Sequence, residues 1–418
     1  MIDFSLSESQ LAIQKTARDF AQNEIKPLAA EIDKITDPSK SWNWKIYTTA
    51  NQLGYNKILI SQAYGGLGLT TLDAVLVIEE LSVADAGIGT SYFVHNANAR
   101  TIDDGCTEEQ KQEFLTACCN DPEDRYFIAI AETERGVTRD LGADASMATE
   151  MAPDRVGIQD FYTYATIPLL MQKEVTTNAK QDGDNWIING MKHFITFGSR
   201  AKLYMILAKI DPELPDLAGV ASFFVPTGTK GLSFGHIEDK MGHRSTENAE
   251  IILDDCRVPD RWKFDSRINI MKRGSTLNVL CAAVAVGIAR RAFEEAIAYA
   301  QMRYKSGSRI VLKQAVQRLL TDMAINVKTA RLITWQAAYQ DEQAVSSALS
   351  SMAKVYTAEA AIETTLLGMQ VFGGYGYMRD LPMEKLYRDA RLMSIYDGTN
   401  EILRHLLIAP AITMEGTA

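Results

Sequence analysis

The chain changes its hydrophobic period twice. After Ser7, a residue type suited to N-capping, Ile13, Ala17, Phe20 and Ala21 recur at helical spacing. Residues 72–81 and 108–118 predict further helices. From Phe127 the period shortens. FIAIAE, NWIING, LYMILAK, VASFFVP and AEIILDD are short, β-rich runs separated by glycine, proline and Asp-Gly or Asn-Gly pairs. Asn189-Gly190 predicts a hairpin turn, because both central residues of a type I′ turn need positive φ. From about Asp265 the helical pattern returns, over 277–301, 316–339 and 343–369. Helices, then strands, then helices imply an α+β chain with segregated parts rather than alternating βαβ units. The expected domains are 1–126, 127–264 and 265–418.

Composition narrows the class. A chain of 418 residues exceeds one comfortable core, which agrees with that division. With 46% hydrophobic and 23% charged residues it reads as an ordinary soluble globular protein. A net charge of −10 argues against a nucleic-acid groove. The longest apolar run, 277–289, is too short for a membrane span and predicts a buried helix, with no membrane insertion. Asp3 and Glu8 sit where a secretory leader would be basic and then apolar. Five cysteines, only Cys118 and Cys119 close in sequence, give neither a disulfide framework nor a zinc spacing. A cytoplasmic protein without a metal centre is the expectation.

The densest chemistry lies in residues 370–404, QVFGGYGYMRDLPMEKLYRDARLMSIYDGTNEILR. A glycine-rich loop precedes a polar helix, and Asp397 follows on a tight Tyr-Asp-Gly-Thr turn. Taken alone, Gly-Gly after a helix is a C-cap, and Asp before Gly makes an Asx-type turn. The order of motifs changes that reading. MIDFSLSESQ and the helix it opens, YGGLGLTTLDAVLVIEELSVADAGIGTSYFVHNANA with its loop and helices, AETERGVTRD, GDNWIINGMKHFITFG, KMGHRSTENAEIILDDCRVP and the 370–404 segment occur in succession. Together they resemble the FAD-dependent acyl-CoA dehydrogenases over nearly the whole chain. The resemblance implies an acyl-CoA dehydrogenase-like α+β fold: an N-terminal helical domain, a middle β-barrel domain and a C-terminal helical bundle, usually as a homotetramer.

It also implies roles. Desaturating a thioester requires removal of an α-proton and acceptance of a hydride, which no side chain can accept. No Gly-x-Gly-x-x-Gly follows a strand, so a Rossmann-bound nicotinamide is not expected, and FAD meets the need. Asp397 stands where the family carries its base, usually a glutamate one methylene longer, and Tyr396 and Gly398 flank the substrate beside it. Thr133 and Glu134 match the family's Thr-Glu, the threonine lying against the flavin ring. Phe194 replaces a tryptophan at that ring, keeping an apolar face but losing an N–H donor, and Thr196 matches the threonine two residues on. On the strand pattern alone, Phe194 and Thr196 are simply an alternating pair. Arg139 replaces a serine that contacts pyrophosphate or CoA; it is either a phosphate ligand or a solvated charge, and Thr138 supplies a hydroxyl beside it.

Farther on, Arg303 and Gln314 match positions that reach the adenosine end of a neighbouring subunit's FAD. Gln370, Gly373 and Gly374 match the loop that cradles the same FAD, where glycine allows close backbone approach. Thr399 and Glu401 match further flavin contacts. Some relatives carry the base on the long helix instead. Leu277 holds that position and cannot ionise, while Asn278 replaces a frequent arginine whose CoA or cofactor contact Arg273 would have to supply. About thirty residues near 142–172 exceed the family's usual connection. They are either a surface excursion folded on its own subunit or a lid or subunit-contact element near the CoA entrance.

The expected function is α,β-desaturation of an acyl-CoA, with a branched or alicyclic acyl group favoured and electrons passing to an electron-transferring flavoprotein. The rivals are a nitroalkane-oxidase-like flavoenzyme on the same fold and a silent CoA- or flavin-binding homologue.

Overall fold

Ser7 caps the first helix as its position predicts. Its hydroxyl accepts from the Gln10 N–H while the Gln10 side chain returns to the Ser7 N–H, a reciprocal box. This computed structural model describes residues 5–134, 175–211, 219–265, 270–342 and 347–415. Thr138, Arg139 and the 142–172 segment lie outside those residues, as does the side chain of Arg273.

Helix α1 (Glu8–Phe20) runs through a π-helical turn into α2 (Lys26–Asp33), and α3 (Trp44–Gln52) follows. Helices α4 (Thr71–Ala84) and α6 (Glu108–Cys119) each begin with their own capping box. Between them lies α5 (Ala86–Gly105), which periodicity does not reveal. Every residue from Ala86 to Ala99 is buried, so no polar face marks the helix. The one local signal is Asp85, whose carboxylate accepts from the Gly87 and Ile88 N–H groups.

The middle region is a mixed eight-stranded sheet of β1 (Ile128–Ala131), β2 (Asn178–Asp182), β3 (Asn185–Thr196), β4 (Leu203–Lys209), β5 (Val220–Pro226), β6 (Leu232–Ile237), β7 (Asn248–Pro259) and β8 (Lys263–Phe264). Its order is β6-β7-β3-β2-β4-β5-β8, with β1 parallel to β4. The Asn189-Gly190 expectation is corrected here. The β2–β3 hairpin turns at Gly183-Asp184, between the paired Asp182 and Asn185, and Gly183 has φ +59°. Asn189-Gly190 lies inside β3, at a register shift against β7. Asn189 exchanges hydrogen bonds with Asp255, its amide donating at 3.1 Å and its oxygen accepting the Asp255 N–H at 2.8 Å. Gly190 is required because a Cβ there would lie 2.6 Å from the Thr177 hydroxyl oxygen. The pair makes a bulge, not a turn.

The C-terminal region packs α7 (Ile270–Met302), α8 (Gln314–Glu342) and α9 (Ser347–Phe372) together, with α4 and α5 against α7. By length and composition 275–302 would suffice to cross a membrane, but 83% of its apolar window is buried inside the protein, as a core helix requires. Helices α10 (Met383–Leu392), α11 (Asn400–Leu403) and α12 (Ala409–Glu415) complete the described chain. Buried carboxylates staple the two helical regions. Arg290 reaches both Glu79 and Glu80 at 2.9 Å, Arg331 reaches Glu79 at 2.6 Å, and Arg18 reaches Glu80 at 2.7 Å.

Candidate active site

The turn carrying Asp397 is built from two consecutive residues in the left-handed region, Asp397 (φ +54°) and Gly398 (φ +88°). Aspartate tolerates that conformation better than most side chains because it is short and polar. Thr399 then caps α11, its hydroxyl accepting the Ile402 N–H at 3.2 Å, and the Asn400 N–H returns to the Ser394 carbonyl at 3.1 Å. These bonds fix where the Asp397 carboxylate leaves the backbone, and its Oδ2 is buried. The Thr399 hydroxyl is thus engaged in capping, while Glu401 is exposed in the first turn of α11.

Three regions of the chain converge beside this turn. The Tyr396 hydroxyl lies 3.3 Å from that of Thr90 in α5, and Thr90 lies 2.9 Å from Nδ1 of His243, in the loop between β6 and β7. The Asp389 carbonyl, in α10, meets His243 Nε2 at 2.9 Å. Phe93 packs edge-on against Tyr396 at 5.7 Å. Burial holds the His243 pKa below its ordinary value, against the pull of Asp389, so the ring acts as a neutral connector. Beneath the turn, Cys281 of α7 is buried and its thiol is pushed up to about 12, chiefly by burial. Leu277, one turn earlier, is buried and apolar, and Asn278 donates to the Ser351 hydroxyl at 3.2 Å. Neither Leu277 nor Asn278 can ionise at this point of α7.

A second group lies where β1 ends against β3. The Thr133 carbonyl accepts the His193 N–H at 2.8 Å, and Thr133 itself is exposed. Phe194 and Thr196 are not a simple alternating pair. A second register shift against β7 falls between Lys192 and Ile195, and Phe194 there has φ +60° and a ring 57% exposed. Its ring lies 3.9 Å from that of His193. Asn248 donates to the Phe194 carbonyl at 2.8 Å and to the Thr196 hydroxyl at 3.3 Å. The bulge turns an apolar ring outward beside two hydroxyl-bearing residues, a surface suited to one face of a flavin ring.

Sequence reasoning missed the residue that anchors this group. Lys192 is fully buried, and its ammonium donates to Glu134 Oε1 at 2.6 Å. Burial would raise the Glu134 carboxyl, but Lys192 and bonds from Thr176 and Thr177 outweigh it and hold the pKa at about 2. A lysine in an alternating strand reads as solvent-facing. The only hint was its place inside the Asn-Gly-x-Lys motif.

A third group gathers where α7 and α9 end and α8 begins. Arg303, Gln314, Gln370, Gly373 and Gly374 are all exposed there. The Arg303 guanidinium stands 5.5 Å from the Tyr375 ring centroid, within cation–π range. A Cβ at Gly373 or Gly374 would meet nothing within 4 Å, and Gly373 has φ +62°. This is an open backbone cradle beside a guanidinium, which fits the phosphate and ribose of a dinucleotide. The ring-facing and phosphate-facing residues therefore both fit FAD, in two separate groups.

Comparison with known proteins agrees along most of the chain. Family models for the acyl-CoA dehydrogenase N-terminal, middle and C-terminal domains match residues 7–121, 170–256 and 271–412. The chain is 31% identical over 411 residues to a short-chain specific acyl-CoA dehydrogenase of Clostridium acetobutylicum, covering 96% of this chain and 97% of that one. It is 32% identical to the mitochondrial short-chain specific enzyme of Bos taurus, covering 96% and 89%. Among solved structures, butyryl-CoA dehydrogenase from Megasphaera elsdenii superposes with a TM-score of 0.85 at 26% identity, over 99% of this chain and 100% of that one. A chain solved in work on the electron transferring flavoprotein of Acidaminococcus fermentans gives 0.84 at 32% identity, over 97% and 98%. With its three-part fold, its carboxylate-bearing turn and a cradle that fits FAD, the chain belongs to the acyl-CoA dehydrogenase family of flavin-dependent oxidoreductases.

Proposed function

We propose that the protein desaturates an acyl-CoA between Cα and Cβ with Asp397 as the base. The observation that carries this reading is the placement of Asp397: a carboxylate on a left-handed turn, one oxygen buried, where three regions of the chain meet. The Asp397 carboxylate takes the α-proton, and its backbone N–H donates to the thioester oxygen, stabilising the developing enolate. Bound FAD supplies the hydride acceptor that side chains lack. Leu277 and Cys281 keep the floor of the site apolar and unionised. Electrons then pass to an electron-transferring flavoprotein, a partner supported by the relative from the Acidaminococcus fermentans work. A reducing cytoplasm suits the five free cysteines.

The short base bears on the substrate. Aspartate withdraws the carboxylate from a glutamate's reach by roughly one C–C bond, about 1.5 Å. A misplacement of about 1 Å can cost about 10²-fold in such geometry. An acyl group bulky at Cα fills that gap and brings its proton back within reach. The short-chain specificity named for the relatives favours a small acyl group. A prolyl acyl carrier protein oxidase, 25% identical with a TM-score of 0.78, offers a ring-bearing precedent on this fold. We therefore assign a short, branched or alicyclic acyl-CoA.

The test is anaerobic titration of the yellow protein with isobutyryl-, cyclohexanecarboxyl-, butyryl- and octanoyl-CoA, on wild type and on Asp397→Glu. The branched and cyclic esters should bleach the wild-type flavin fastest, and the glutamate should shift preference toward the straight chains. A wild type fastest on butyryl- or octanoyl-CoA, and slowed on them by the glutamate, would refute the selection for bulk. Bleaching by a nitroalkane and by no CoA ester would refute the desaturase reading, and bleaching by nothing would make the chain a silent homologue.

A further inference from the structure

Helix α9 carries Lys354, a lysine with no exposed surface. Its ammonium donates to the Gly398 carbonyl at 2.7 Å and to Asn400 Oδ1 at 3.1 Å. The Asn400 amide donates to the Val355 carbonyl at 3.4 Å and to Glu359 Oε1 at 3.3 Å, and Arg404 holds Glu359 at 2.6 Å. The lysine thus grips the turn from below, on the peptide next to the base. A left-handed conformation costs free energy at Asp397, and such strain persists only where the surroundings over-determine it. Burying an ammonium is also costly, and an apolar side chain of the same length would fill the space without that penalty. The charge therefore has a use beyond packing.

We propose that Lys354 is a positioning residue for the base: its two hydrogen bonds fix the Asp397-Gly398 turn, and its charge keeps the Asp397 carboxylate ionised. The groups facing it support this. Cys281 of α7, Asp397 on the turn and Glu401 of α11 all bear on Lys354 electrostatically. Burial lowers the Lys354 pKa, and these groups work against that shift. Cys281 stays a neutral thiol, Glu401 is exposed to water, and Glu359 is already paired with Arg404. The Asp397 carboxylate leaves the chain one residue before the carbonyl that Lys354 grips, so the ammonium's charge acts on it. This role rests on the reading of Asp397 as the base, so the experiment must separate the two.

Flavin reduction by isobutyryl- and butyryl-CoA is followed by anaerobic stopped flow across pH, with the FAD-loaded protein. Wild type, Lys354→Met, Lys354→Gln and Asp397→Asn are compared. Lys354→Met should slow reduction by about 10–10²-fold with the ester's Kd little changed, since it displaces the base rather than the binding surface. Removing the cation should also move the acid limb of the rate profile up by about one pH unit. Lys354→Gln keeps a donor without the charge, so it should recover part of the rate while leaving the limb shifted. If Lys354→Met does not fold to a flavoprotein, the limb in Lys354→Gln decides. A limb at its wild-type pH in the folded lysine variants, with Asp397→Asn inactive, overturns the positioning role alone. An active Asp397→Asn overturns the base assignment itself.

Discussion

Asp397 and Gly190 show what a single position can require. At Asp397 the backbone needs a residue at ease with positive φ, and the proposed chemistry needs a carboxylate; aspartate satisfies both. From sequence alone, Asp-Gly reads as a turn, and only its place twenty-odd residues after Gly373-Gly374 marks it as chemical. Gly190 reads as a turn glycine and is instead a packing glycine. Its Cβ would lie 2.6–2.8 Å from three atoms of Thr177, and its φ of +151° disfavours other residues. Gly190→Ala should therefore cost about 1–3 kcal/mol in urea unfolding. An unchanged midpoint would mean that β2 and β3 do not approach as closely as described. The sequence could not show this, because Thr177 meets Gly190 only after the hairpin at Gly183-Asp184 has folded.

At the scale of elements, the buried Lys192–Glu134 pair ties β3 to the segment after β1 and so sets where Thr133 and Phe194 stand. Breaking a buried pair from one side leaves an uncompensated charge, typically at about 3–5 kcal/mol, whereas replacing both partners by apolar groups is often tolerated. Lys192→Met should thus be more damaging than Lys192→Met combined with Glu134→Leu, both in thermal unfolding and in flavin retention. Equal damage would deny the pair its anchoring part. The pH dependence follows with a definite sign. The folded Glu134 carboxyl sits at about 2, below its ordinary 4.5, so its contribution is complete above pH 4.5 and is lost as pH falls toward 2. Wild type should lose stability across that window more steeply than the double variant. Strand existence was legible from the alternating pattern, but the ladder order and the buried lysine were not, since both depend on non-local partners.

Across the whole molecule, the order of helices, strands and helices could be read from hydrophobic period alone. Helix α5 could not, because its faces are buried nearly all round. The FAD-fitting residues fall in two groups, Thr133, Phe194 and Thr196 on the sheet, and Arg303 through Gly374 on the last helices. We propose that the second group serves the FAD of a neighbouring subunit in a homotetramer. Arg303→Ala should then weaken FAD retention and assembly together, by absorbance and sedimentation. Tight FAD binding by a demonstrated monomer would contradict that arrangement.

The Asp397 carboxylate is proposed to remove the substrate's α-proton. Asparagine keeps the shape and tolerates the same left-handed backbone, so Asp397→Asn isolates the proton acceptor. The deciding measurement is the rate of anaerobic flavin reduction in that variant, with ester binding measured in parallel. Normal CoA-ester binding and a rate lower by more than about 10⁴-fold are expected, beyond the usual general-base factor because Leu277, at the other position considered for a base, cannot ionise. A rate close to wild type would show that the base lies elsewhere.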